Sequence, residues 1–213
     1  RSRVARRLGP DPRAAPTPTS ASANSFLVEL MGGGITNNGT IVPTLSNRVL
    51  DVNVTGSSVN VLAGAHPVEL NTLTINTSLG LTVAQSTKLY GMLGLTLGTL
   101  TLGPNTLSMA NNASIVATGG TLAGGAGTVN FLGSGLVSGT LTFNNVTLNV
   151  NGVDFGLASS VNGTLQINGG FVANAHPPIY GSLSVLYYNT GFTYDASAEW
   201  TPNVGSGPGV PSN

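Results

Sequence analysis

One tripeptide pattern, Gly-[Thr/Ser]-Leu, recurs through the second half of the chain and limits the fold more than any other feature. It begins at Gly98, Gly120, Gly139, Gly163 and Gly181, with spacings of 22, 19, 24 and 18 residues. The run Asn71-Thr72-Leu73-Thr74-Ile75 reads as an earlier member. Short pieces at 49–54, 73–76, 95–103, 140–143, 146–150 and 164–167 alternate apolar and polar residues. Period two puts Leu, Ile, Val and Phe on one face of a strand and Thr and Asn on the other. Several short strands inside one repeat of about 21 residues point to a solenoid, in which each turn buries its apolar face only by stacking on its neighbours.

The expected fold is therefore all-β: a single-stranded β-solenoid, or β-helix, of about seven coils and roughly 35 Å in length at about 4.8 Å per coil. In that fold Leu100, Leu141, Leu165 and Leu183 face inward and stack in successive coils. A β-sandwich or jelly roll is the alternative, because it too spaces strands every ~10 residues. Sandwich strands carry more charge on their wet face and lack a shared Gly-Thr-Leu start.

Composition agrees with stacking. The chain has 213 residues, of which 7% are charged, and a formal net charge of zero. Gly (30), Thr (25) and Asn (22) dominate. Like residues repeated at coil spacing form ladders, and stacked like charges would repel, so a solenoid tolerates few of them. One Lys and three Glu argue against a helical bundle. Mean hydropathy of +0.24 with so little charge argues against disorder along the whole chain. No Cys is present, which excludes a disulfide framework and Cys-ligated metals. No stretch of 18 apolar residues exists, so no transmembrane helix is expected. The six Asn-x-[Ser/Thr] sequons, at Asn38, Asn53, Asn76, Asn112, Asn145 and Asn162, follow from the Asn and Thr content.

The chain divides into four parts. Residues 1–25 are a basic, then Pro/Ala/Ser/Thr-rich arm; 26–44 are an N-terminal strand and turn link; 45–200 are the solenoid, closed by a cap at 180–200; and 201–213 are a Gly/Pro/Ser linker tail. Arg1, Arg3, Arg6, Arg7 and Arg13 supply five of the seven basic residues, leaving a body of about −4. With no basic face outside the arm, duplex nucleic acid is not expected as a partner. The arm start lacks the apolar stretch of a signal peptide, and the first residue is not Met, so a processed chain or a segment of a longer one is expected. The apolar run Phe26, Leu27, Val28, Leu30 and Met31 is a candidate self-assembly strand: the arm is expected to order on another copy of the chain, drawn by opposite charge. Six of the twelve aromatics lie within 180–200. Tyr187, Tyr188, Tyr194 and Trp200 form either a cap with Trp200 and most of the tyrosines buried, or a platform for surface glycans.

No catalytic constellation stands out. Asp195 and Glu199 are the one close pair of acids, inside the cap region. His66 and His176 occupy matching Ala-His-Pro contexts about 110 positions apart, too far in sequence to read as one metal site. No Gly-x-Ser-x-Gly elbow or phosphate-loop lysine occurs. No catalytic, cofactor or metal residue is assigned, and an enzyme is not expected.

The Gly-Thr-Leu-Thr-Leu and Asn-Thr-Leu-Thr-Ile units, the Gly/Asn/Thr bias and the closing Leu-Tyr-Tyr-Asn…Ala-Glu-Trp-Thr-Pro resemble secreted, adhesin-like repeat β-solenoids of Gram-negative bacteria, especially Bacteroidota. These are broadly similar to filamentous-haemagglutinin-type passengers. The resemblance covers roughly residues 45–203 and implies export, display at the cell surface and a fibrous or adhesive role. The expected function is that of a non-enzymatic extracellular structural protein, partnered by copies of itself. A carbohydrate-binding adhesin module and an ice-binding solenoid, the latter on its Thr-x-Thr units, are the alternatives.

Overall fold

Alternating apolar residues make the strands, and Gly and Asn at the corners turn them. In the computed structural model, which describes residues 5–7, 24–41, 48–173, 176–200 and 209–210, every secondary-structure element is a β-strand. All pairings are parallel, and each strand bonds to its equivalent about 20 residues further on. The result is a β-solenoid of about seven turns with three faces.

The first face stacks the beginnings of Val68–Asn76 and Thr87–Leu97 with Thr106–Met109, Thr128–Phe131, Asn145–Leu148, Thr164–Ile167 and Val185–Tyr188. The second face runs from Asn24–Leu30 and Arg48–Val54 through the remainder of Val68–Asn76 and Thr87–Leu97. It continues in Ala113–Ala117, Gly135–Ser138, Asn151–Asp154 and Gly170–Val172. The third face holds Gly33–Asn37, Asn60–Gly64, Leu81–Val83, Thr99–Thr101 and Thr121–Ala123, then Thr142–Phe143, Ser160–Val161 and Ile179–Tyr180.

The core is a set of axial rows. On the first face Leu70, Leu89, Met109, Phe131, Leu148 and Ile167 stack in register and are fully buried. On the second face Val52, Leu73, Leu93, Ile115 and Val137 do the same. Phe143 and Phe155 meet edge to face at 5.9 Å, the arrangement that aromatic quadrupoles favour.

The Gly-Thr-Leu recurrence marks two different corners. Gly98, Gly120 and Gly139 precede third-face segments, whereas Gly163 and Gly181 precede first-face ones. Gly98 has φ +84° and Gly139 has φ +97°. A Cβ at Gly98 would lie 2.0 Å from the Thr77 carbonyl oxygen, so the corner needs both the left-handed backbone and the missing side chain. Of the four leucines expected in one inward stack, Leu100 and Leu141 are buried on the third-face side and Leu165 on the first face. Leu183 is 83% exposed, because it sits in the turn before the last described strand, outside the inward rows.

The solenoid also begins earlier than residue 45. Asn24–Leu30 pairs along its whole length with Arg48–Val54, and Gly33–Asn37 with Asn60–Gly64, so these strands form its first coil. Within the arm, Ala5–Arg7 pairs with Leu27–Glu29. Asn24 and Ser25, at the end of the expected arm, belong to the first strand of the solenoid; the rest of the arm and most of the expected tail lie outside the described residues.

Candidate functional site

The last coil differs from those before it in the residues it turns inward. Tyr180 occupies the inward position in register with Val161, and Tyr188 the position in register with Ile167. Tyr180 is buried; Tyr188 ends its row and is partly open. The chain then runs from Asn189 back over this end and touches the last strand of every face. Ser197 Oγ donates to the Val172 carbonyl (3.3 Å), Tyr180 Oη to the Glu199 carbonyl (2.9 Å) and Tyr188 Oη to Glu199 Oε1 (3.4 Å). The Ser197 amide also donates to Oε1, at 2.8 Å.

Glu199 is 0% exposed. Its Oε2 and the Tyr194 hydroxyl are both buried, and neither meets hydrogen-bond geometry with a partner. They are close enough for the carboxylate to act on the phenol. Burial first, then the Glu199 charge, raises Tyr180 and Tyr194 well above the usual phenol range. The same two causes push Tyr188 up to about 12.

Above the carboxylate lies a cleft of about 440 Å³ lined by Tyr188, Thr190, Tyr194, Ala196 and Trp200. The Tyr188 and Tyr194 rings meet at 5.3 Å, tilted by 44°. Of the four aromatics expected to act together, the fold brings Tyr188, Tyr194 and Trp200 to this cleft. Tyr187 points the other way, to the outer surface of the first face, because neighbouring residues of a strand alternate. Trp200 is 47% exposed and Phe192 is exposed, so the expected cap of buried aromatics is not what this end presents. The sequence marks neither Thr190 and Ala196 as lining residues nor the contacts that Tyr180 and Tyr188 make with Glu199. Their signal was weak: a carboxylate in an aromatic-rich segment, with no pattern that foretells its burial.

The remaining sites are dispersed. Asp195 is exposed while Glu199 is buried, so the one close pair of acids does not share an environment. His176 Nδ1 pairs with Asp154 at 2.8 and 3.0 Å, whereas His66 is exposed at a different corner. Among the described residues no group of three or more His, Asp or Glu could hold a metal ion. Phe26, Leu27 and Val28 are half-buried, Leu30 is buried and Met31 is exposed, all at the first coil. The outward Thr rows of the third face are short. Thr99 meets Thr121 at 2.8 Å, but the next row reads Thr82, Thr101 and Ala123, so Thr-x-Thr is not repeated in the following coil.

Comparison of the chain with protein-family models, curated proteins and solved structures gives no match.

Proposed function

We propose that this protein is a non-enzymatic structural subunit or segment of an extracellular, cell-surface fibre or adhesin, and that copies join end to end through strand edges. The observation that carries this reading is the last first-face strand. Val185–Tyr188 pairs with Thr164–Ile167 on one side, and no strand among the described residues follows it on the other. Leu183 and Val185 (53% exposed) stand at that edge and add apolar surface to it. Such an edge is a template for another strand. At the opposite end, Ala5–Arg7 covers only Leu27–Glu29 of the seven-residue strand Asn24–Leu30. A joint between unlike ends that stacks copies along one axis does not close into a ring and produces a filament.

The test is light scattering and negative-stain microscopy over a concentration series, on the native sequence and on the double variant Leu183→Lys, Val185→Lys. Both positions are exposed, so the variant should fold, and charge at an edge blocks pairing. The native protein should form filaments and the variant should stay dispersed with an unchanged β spectrum. A native protein that remains monomeric at high concentration, or a variant that assembles equally well, would refute the reading.

A further inference from the structure

The cleft at the C-terminal end joins two features: exposed aromatic surface and a buried glutamate with no described basic side chain paired to it. Tyr188, Tyr194 and Trp200 supply three aromatic rings to one concavity of about 440 Å³. The other lining residues, Thr190 and Ala196, are neutral. Glu199 is wholly buried, with Oε1 held by Tyr188 Oη and the Ser197 amide, and its carboxylate acts on the Tyr194 hydroxyl. Among the described residues the one ion pair is His176–Asp154, so no described basic side chain pairs with this carboxylate. A buried charge is costly unless it is compensated, and a carboxylate makes the cleft above it attractive to positive charge. A hydroxyl donating to a carboxylate also enriches its own ring in electron density, which strengthens the face of that ring toward cations.

We propose that this cleft binds a quaternary or methylated ammonium group, such as the trimethylammonium head of a choline-type ligand. The chemistry favours this class over a small metal ion, because the walls offer rings and methyl groups rather than oxygen ligands. It favours it over a neutral sugar, because a sugar leaves the Glu199 charge uncompensated. Aromatic rings around a weakly hydrated cation are the usual solution to this recognition problem. The proposal does not depend on fibre assembly, since every residue it uses belongs to one chain.

Trp200 is the only tryptophan in the protein, so its fluorescence reports on the cleft directly. The experiment titrates the full chain, kept dilute enough to be monomeric, with choline, with its neutral carbon isostere 3,3-dimethylbutan-1-ol, and with methyl glucoside. Choline should give a saturable change in emission, and the isostere should bind at least about tenfold more weakly. Calorimetry with choline on Trp200→Ala and on Glu199→Gln should show at least about a tenfold loss for each. Should Glu199→Gln not fold, the choline-to-isostere ratio on the native chain decides alone. Equal binding of the isostere, saturable binding of the glucoside without choline, or a folded Glu199→Gln chain that binds choline undiminished would each overturn the proposal.

Discussion

Tyrosine stands in the last coil where the coils before it place purely apolar side chains. Val161 gives way to Tyr180 and Ile167 to Tyr188, and each ring stacks on its predecessor while its hydroxyl reaches Glu199. An end coil needs such amphipathic residues, since one side of it is core and the other is not. The three raised phenols make the end sensitive to alkali. An unfolded tyrosine loses its proton near pH 10. Tyr188, held up to about 12 by burial and by Glu199, still keeps its proton there. Between these values the unfolded state binds fewer protons than the folded one, so stability falls as pH rises. The urea midpoint should thus be level through neutral pH and drop between pH 10 and 12, and less steeply in Tyr188→Phe; full ionisation of all tyrosines near pH 10 in a spectroscopic titration would contradict this. Burial separates the two leucines of like motif just as sharply. Leu100 is wholly buried, and Leu100→Ala should cost about 2–5 kcal/mol. Leu183→Ala, at an exposed position, should change stability by less than about 0.5 kcal/mol in the same urea titration.

At the scale of strands and corners, the coil length was legible and the phase was not. Any corner residue that recurs once per coil gives the same period, whichever corner it serves. The Gly-Thr-Leu series therefore yields a period near 21 while moving from one corner to another between Gly139 and Gly163. In the coil after Gly139, the place in register with Leu141 is taken by Ser159, whose hydroxyl is buried against the Leu141 amide (3.3 Å) and the Gly139 carbonyl (3.4 Å). No apolar pattern could mark that position. The first coil escapes the recurrence because a Gly-rich link without Gly-Thr-Leu follows its strand. The aromatic cluster at 180–200 was legible as a site, yet strand alternation divides Tyr187 from Tyr188, and Glu199 is buried only because the chain turns back over the end. Register can be measured directly. Leu27, Asp51, Thr72, Met92, Ser114 and Leu136 are successive partners along the second face. Spin labels at Leu27 and Leu136 should lie about 24 Å apart, and labels at Thr72 and Leu136 about 14 Å, at about 4.8 Å per step. Similar distances for the two pairs would contradict one coil per step.

Across the whole molecule, the scarcity of charge becomes a property of the stack. Four of the few acids meet a neutral or histidine side chain from a neighbouring coil: Glu29 meets Thr55, Asp51 meets Asn71, Glu69 meets Tyr90 and Asp154 meets His176. Neutral amides take the positions where repeated charge would repel. Asn149, Asn168 and Asn189 form a ladder at one corner, with Asn168 Nδ2 donating to Asn149 Oδ1 (3.0 Å) and Asn189 Nδ2 to Asn168 Oδ1 (3.2 Å). The ladder and the first-face strand edge both run along one axis to the C-terminal end, while residues 189–200 cover the ends of the apolar rows there, so the proposed joint to another copy would continue the ladder and the strand edge. X-ray diffraction from an aligned, concentrated sample tests this most directly. Filaments built by head-to-tail stacking of these coils should give a reflection near 4.8 Å along the filament axis. A 4.8 Å reflection perpendicular to that axis, or a sample that forms no filaments at any concentration, would contradict it.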